Sequence, residues 1–216
     1  MVLYTQAVHY PDSDGMPMSD NTKQFRLIVY IKEGLEWLLA ADPNVFVAGD
    51  LLWYPIEGDN KTRIGPDVLV AFGRPKGDRG SYRQWEEGGI APQVVFEVLS
   101  PGNRVAEITR KFAFYQRYGI EEYYVYDPDE GTLNGYLRRG ENLEAVEMMG
   151  WVSPRLGVRF ELSGEELQLW RPDGARFESY SEIAARAEQE RERAERERER
   201  ADRLAERLRQ LGLDAE

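Results

Sequence analysis

Two short apolar runs, each carrying one carboxylate, stand out in the pattern of the chain. Gly65-Pro66-Asp67-Val68-Leu69-Val70 and Val94-Val95-Phe96-Glu97-Val98-Leu99-Ser100 both read as buried β-strands. Alternation puts Glu97 on one face with Val95 and Leu99, and Val94, Phe96 and Val98 on the other. Both faces are apolar, so the strand is central, and a carboxylate there is costly. Asp67 and Glu97 must be paired, protonated or bound to a cation.

The same reading assigns the rest of the chain. Ser19, Asp20 or Asn21 caps a helix that runs to about Ala41, with Phe25, Ile28, Ile31, Leu35, Leu38 and Leu39 along one stripe. Val45 to Tyr54 reads as a strand, Glu57-Gly58-Asp59-Asn60 as a turn, and Thr62 to Phe72 as the returning strand. A turn centred between Gly58 and Asp59 sets Asp50 opposite Asp67. Residues 73–92 read as a loop. Pro101-Gly102-Asn103 then opens a helix of about fifteen residues that stops at Tyr118-Gly119. Glu122 to Asp127 is a third core strand, ended by Pro128, and further strands fall near 132–138, 143–148, 156–161 and 166–170.

This order predicts an α/β fold with a mixed central sheet flanked by helices, containing a strand–helix–strand crossover from 94 to 126. Three regions follow: an extended N-terminal segment over 1–21, one α/β domain over 22–178, and a charged helical tail over 179–216. In the tail, pairs such as Glu192–Arg196 and Glu199–Arg203 suit a solvated, charge-laced single helix. A heptad frame puts Ala187, Ala194, Ala201 and Leu208 at a, and Glu190, Glu197, Leu204 and Leu211 at d. Coiled-coil pairing by the last two heptads stays equally open.

Composition narrows the chemistry. A chain of 216 residues suits one domain with an appendage. Without cysteine there is no thiolate metal site and no Cys nucleophile, and a single histidine, His9, excludes a multi-His zinc site. His9 lies in a polar stretch and reads as solvated. The chain lacks a membrane-length apolar run and a signal-like start, so we expect no membrane partner and a cytoplasmic location. The net charge of −11 opposes tight nonspecific DNA binding. A local basic surface or bound divalent cations would have to compensate, and Arg74, Lys76, Arg79 and Arg83 form the best such cluster.

Lys111 lies on the predicted second helix, on one face with Asn103 and Glu107. Two strand carboxylates and one lysine suggest a hard-metal site for phosphodiester hydrolysis, since Mg²⁺ takes oxygen ligands and needs few carboxylates. The plainer alternatives are a surface pair of Lys111 with Glu107 and a turn role for Asp67.

The Gly65–Val70 and Val95–Pro101 segments, Lys111 with Tyr115 and Gly119, and Glu122-Tyr123-Tyr124-Val125-Tyr126-Asp127-Pro128 occur in one order at close spacing. In these the chain resembles the Uma2 family of restriction endonucleases, a branch of the PD-(D/E)XK nuclease superfamily. The Arg/Glu/Ala-rich tail is also similar to tails of many members. The resemblance implies a restriction-endonuclease-like core, Mg²⁺ or Mn²⁺ as cofactor, DNA as partner, and endonuclease activity. It implies Asp67 and Glu97 as metal ligands, with Asp67, Glu97 and Lys111 as the catalytic set. It also implies a lysine two residues after the glutamate, where this chain has Leu99, and Lys111 would replace it from the helix. Gln24 stands where relatives carry histidine, and Asp50 is a neighbour of the site at most. The acidic balance and the helical tail keep a second function open, with which Leu99 is compatible: a catalytically inactive nuclease fold acting as a DNA-binding or protein-interaction module. A homo-oligomer such as a dimer is expected, and a third function stays open: an assembly protein whose tail dimerises through Leu204, Leu208 and Leu211.

Overall fold

The computed structural model describes residues 8–13, 15, 19–102, 105–162, 164 and 166–211. The first helix, α1 (Thr22–Leu38), starts where the Asn21 side chain accepts the Gln24 backbone N–H. Its buried residues are Gln24, Leu27, Ile28, Ile31 and Leu35. Phe25, expected in the stripe, is 46% exposed. One residue along a helix is a turn of about 100°, which carries Phe25 off the face of Gln24 and Ile28.

The strand expected over Val45–Tyr54 is broken. β1 (Val45–Gly49) ends at Asp50, which adopts a left-handed φ of 48°. β2 (Trp53–Tyr54) leaves to form a separate parallel pair with β4 (Tyr82–Arg83), inside the segment expected to be loop. The returning strand is shorter than expected: β3 covers Val68–Phe72, and Ile64 makes only an isolated bridge to Trp53. The register nevertheless follows the turn. Gly49 pairs with Val68, and the Asp50 N–H donates to the Asp67 carbonyl at 3.1 Å.

β5 (Val94–Val98) leads into α2 (Val105–Tyr118) and then β6 (Glu122–Asp127), which pairs parallel to β5. Gly119 stops α2 with φ 93°. Asn103, expected at the helix start, lies outside the described residues. β7 (Thr132–Arg139) and β8 (Asn142–Val146) complete a six-stranded sheet in the order β1-β3-β5-β6-β7-β8, and β9 (Arg159–Glu161) pairs with β10 (Gln168–Trp170). One sheet face packs under α1, with Phe160 and Leu169 of the β9–β10 pair; the other packs under α2. This is the mixed, helix-flanked sheet that the sequence predicts.

The chain divides into two units, Met1–Phe177 and Glu178–Glu216. In the second, α3 (Tyr180–Gln210) opens with a capping box between Ser179 and Glu182 and buries no side chain. Glu192–Arg196 and Glu199–Arg203 ion pairs, each at 3.6 Å, lace its surface. No helix among the described residues is long and apolar enough to cross a membrane.

Candidate active site

Sheet register brings the two sequence-predicted carboxylates together. β3 and β5 run antiparallel with Val68 opposite Phe96, so one further step sets Asp67 opposite Glu97. Leu69 and Val95 pack on the α2 side, and alternation puts Asp67 and Glu97 there too. Facing residues of such a pair have Cβ atoms about 5 Å apart. Asp67 is 9% exposed and Glu97 3%.

Asp67 acts where the backbone ladder stops. β3 begins only at Val68, and the Val98 N–H donates instead to Asp67 Oδ2 at 2.6 Å. Asp67 Oδ1 makes no hydrogen bond to a described residue. The Val98 carbonyl is held from the other side, where Gln24 Nε2 donates to it at 2.7 Å. Gln24 Oε1 accepts the Asp20 N–H at 2.8 Å. Gln24 is therefore a support for the peptide bonded to Asp67, a role that sequence reading missed. Its signal was a polar residue one turn before Ile28 on the buried stripe.

α2 supplies the cation. Lys111 Nζ donates to Glu97 Oε2 at 2.6 Å, and its side chain is 14% exposed. One turn later the Tyr115 hydroxyl donates to Glu97 Oε1 at 2.5 Å. The surface pairing of Lys111 with Glu107 thus yields to a buried bond with Glu97. Leu99, at the position where the superfamily pattern has lysine, packs against the apolar cluster under α2 and donates its N–H to the Tyr126 carbonyl.

The charge balance is unequal: two carboxylates face one ammonium. Burial, and then the adjacent Glu97 charge, hold the Asp67 carboxyl well above its ordinary value; Lys111 and the Val98 N–H oppose this and are outweighed. Desolvation pulls Lys111 down, but the Glu97 and Asp67 charges overcome it and leave its pKa raised. Burial and Glu97 push the Tyr115 phenol far up, so it stays a donor.

The loop cations do not form the open basic surface expected of them. Arg74 and Arg79 both bind Glu87, at 3.0 and 2.5 Å, and Arg79 lies over Phe46 at 3.9 Å. Lys76 donates to the Leu39 and Val45 carbonyls, and Arg83 pairs with Glu86. A further buried carboxylate, Glu122, accepts from the Tyr124 hydroxyl, the Ser153 hydroxyl and the Arg155 N–H. It lies on the α1 side of the sheet, with Tyr124 and Tyr126, away from Glu97. His9 is exposed.

The donor set suits a hard cation. Carboxylate oxygens are its preferred ligands, Asp67 has one oxygen without a hydrogen bond among the described residues, and added positive charge would offset the excess of anions. No group of three or more His, Cys, Asp or Glu among the described residues forms a complete metal cage. Mg²⁺ does not require one, because it usually keeps waters and phosphate oxygens.

A family model described as "Uma2: Putative restriction endonuclease" matches residues 15–169. Among solved structures, the chain is similar to a crystal structure described as a putative nuclease belonging to DUF820 from Anabaena variabilis ATCC 29413. That pair is 18% identical, with a TM-score of 0.47, and covers 64% of this chain and 73% of the other. No curated protein matches the chain.

Proposed function

The chain belongs to the Uma2 family, and on that premise we propose that it is a Mg²⁺- or Mn²⁺-dependent endonuclease hydrolysing DNA phosphodiester bonds. The observation that carries this reading is the pairing of Asp67 and Glu97 under α2, with Lys111 on Glu97. Asp67 and Glu97 would hold the metal. When bound, such a cation supplies Lewis-acid polarisation of a phosphoryl oxygen.

The chain's own residues do the remainder. Val98 and Gln24 fix Asp67 from the backbone side. Glu97 holds the Lys111 ammonium inside the site, where it can stabilise negative charge developing on the phosphate. The apolar cluster beneath α2 keeps bulk water from the carboxylates and strengthens each of these interactions.

Incubation of supercoiled plasmid with the purified protein and Mg²⁺ or Mn²⁺ tests the reading. Nicking or linearisation is expected, together with its loss in Asp67→Ala and Glu97→Ala. Cleavage that survives both substitutions would overturn it.

A second reading is a nuclease fold that binds without cutting. It is favoured by the loop cations being held inside the fold and by Glu97 carrying two protein donors already. Calorimetry with millimolar Mn²⁺ separates the two: no detectable binding supports the non-catalytic module.

A further inference from the structure

Among the described residues, Tyr115 is the one buried hydroxyl bonded to the carboxylate pair, and the hydrolytic reading leaves it without a task. Its ring is fully buried and wedged edge-on against Tyr123 at 4.9 Å and Phe114 at 6.1 Å. Its hydroxyl meets Glu97 Oε1 at 2.5 Å, while Lys111 meets Oε2 at 2.6 Å. Residues 111 and 115 lie one turn apart on α2, so one rigid helix face holds both oxygens of one strand carboxylate. A carboxylate held at only one oxygen could rotate about its terminal torsion, which is soft. Held at both, its plane is fixed against the helix, and the remaining lone pairs keep a constant direction.

We infer that Tyr115 is a positioning residue of the centre: it locks the Glu97 carboxylate so that the Asp67–Glu97 pair meets a divalent cation pre-oriented. Tyr115 touches neither metal nor substrate in this role, and it acts through Glu97. The inference rests on the metal-site reading of Asp67 and Glu97. Outer partners that orient metal-binding carboxylates typically change affinity or activity by about 10- to 100-fold when removed.

The test is Mn²⁺ calorimetry on the full chain, with wild type, Tyr115→Phe and Glu97→Gln measured in parallel. Phenylalanine keeps the ring contacts and removes only the hydroxyl. Tyr115→Phe should weaken Mn²⁺ by about tenfold and lower kcat on plasmid DNA with KM unchanged. Replacing Tyr115 by 4-aminophenylalanine, which restores a donor on the same ring, should recover most of the affinity. A packing role would instead lower the melting temperature in Tyr115→Phe and leave Mn²⁺ affinity unchanged, with no difference between Phe and 4-aminophenylalanine. That result overturns the role of Tyr115 alone, provided Glu97→Gln still loses the metal. Wild-type protein that binds no Mn²⁺, or Glu97→Gln that binds it normally, overturns the metal site and the Tyr115 role together.

Discussion

Two buried charge clusters in the first unit have opposite compositions. One joins Asp67 and Glu97 to a single Lys111; the other joins a single Glu87 to Arg74 and Arg79. Burial alone pushes a carboxyl upward in both places. At Asp67 the nearest further influence is another anion, and the carboxyl stays well above its ordinary value. At Glu87 burial also pushes up, but the hydrogen bonds and charges of Arg79 and Arg74 win, and the carboxyl falls below its ordinary value. Deep burial, seconded by a neighbouring anion, sets the sign at Asp67, whereas two guanidinium groups reverse a weaker burial effect at Glu87. The Glu87 cluster ties a loop to itself, with Arg79 also stacked on Phe46 of β1. The Glu87 carboxylate is already satisfied by two cations. The Asp67 cluster gathers groups from the residue before β3, from β5 and from α2, and it remains short of positive charge.

The contrast breaks most visibly in catalysis. Asp67→Ala or Glu97→Ala should reduce plasmid cleavage by about 10²-fold or more, read from initial rates with Mg²⁺. Glu87→Gln, which leaves the carboxylate pair untouched, should cleave at a rate close to wild type. Equal losses in all three would erase the distinction.

Stability comes next. Glu87→Ala leaves two partly buried guanidinium groups without their anion and should cost about 3 kcal/mol, measured by urea denaturation. Asp67→Asn should act in the other direction. The amide oxygen can still accept the Val98 N–H, while the cost of burying a carboxyl that ionises in the unfolded chain is removed, so a gain of about 1 kcal/mol at neutral pH is expected. A loss of stability there would contradict the proposed excess of anions.

The smallest effect lies in the pH dependence. Native Asp67 holds its proton where the unfolded chain has released it, so its contribution to stability falls as pH rises above the ordinary carboxylate value. The gain from Asp67→Asn should therefore fade as pH drops to that value. Glu87 contributes stability above the ordinary value and loses it as pH falls through its lowered native value. Glu87→Gln should flatten the acid limb of the stability curve. Urea titrations across the acid range check both slopes, which must have opposite signs.

Much of the centre was legible because it follows repeating geometry. Strand alternation exposed Glu97 as the anomaly in an apolar run, and the turn at Gly58-Asp59 set Asp50 opposite Asp67. A helix directly after β5 can return Lys111 to the same strand. What stayed hidden depends on contacts with no period. Arg74 and Glu87 are 13 residues apart in a loop, and nothing local indicates that they meet. Glu122 resembles an ordinary polar strand start, yet its partners Ser153 and Arg155 arrive from 31 and 33 residues away. The break at Asp50 arises because β2 pairs with β4 rather than continuing the sheet. In the sequence Gln24 stands out only as a departure from relatives, whereas its place one turn before Leu27 and Ile28 on a buried face marks it as a structural donor.

A crystal of the protein soaked in Mn²⁺ and measured for anomalous scattering tests the central claim most directly. One manganese peak is expected, with an oxygen of Asp67 and an oxygen of Glu97 each within about 2.3 Å, and with Lys111 still against Glu97. Manganese bound elsewhere, or no peak at concentrations that support cleavage, would contradict it.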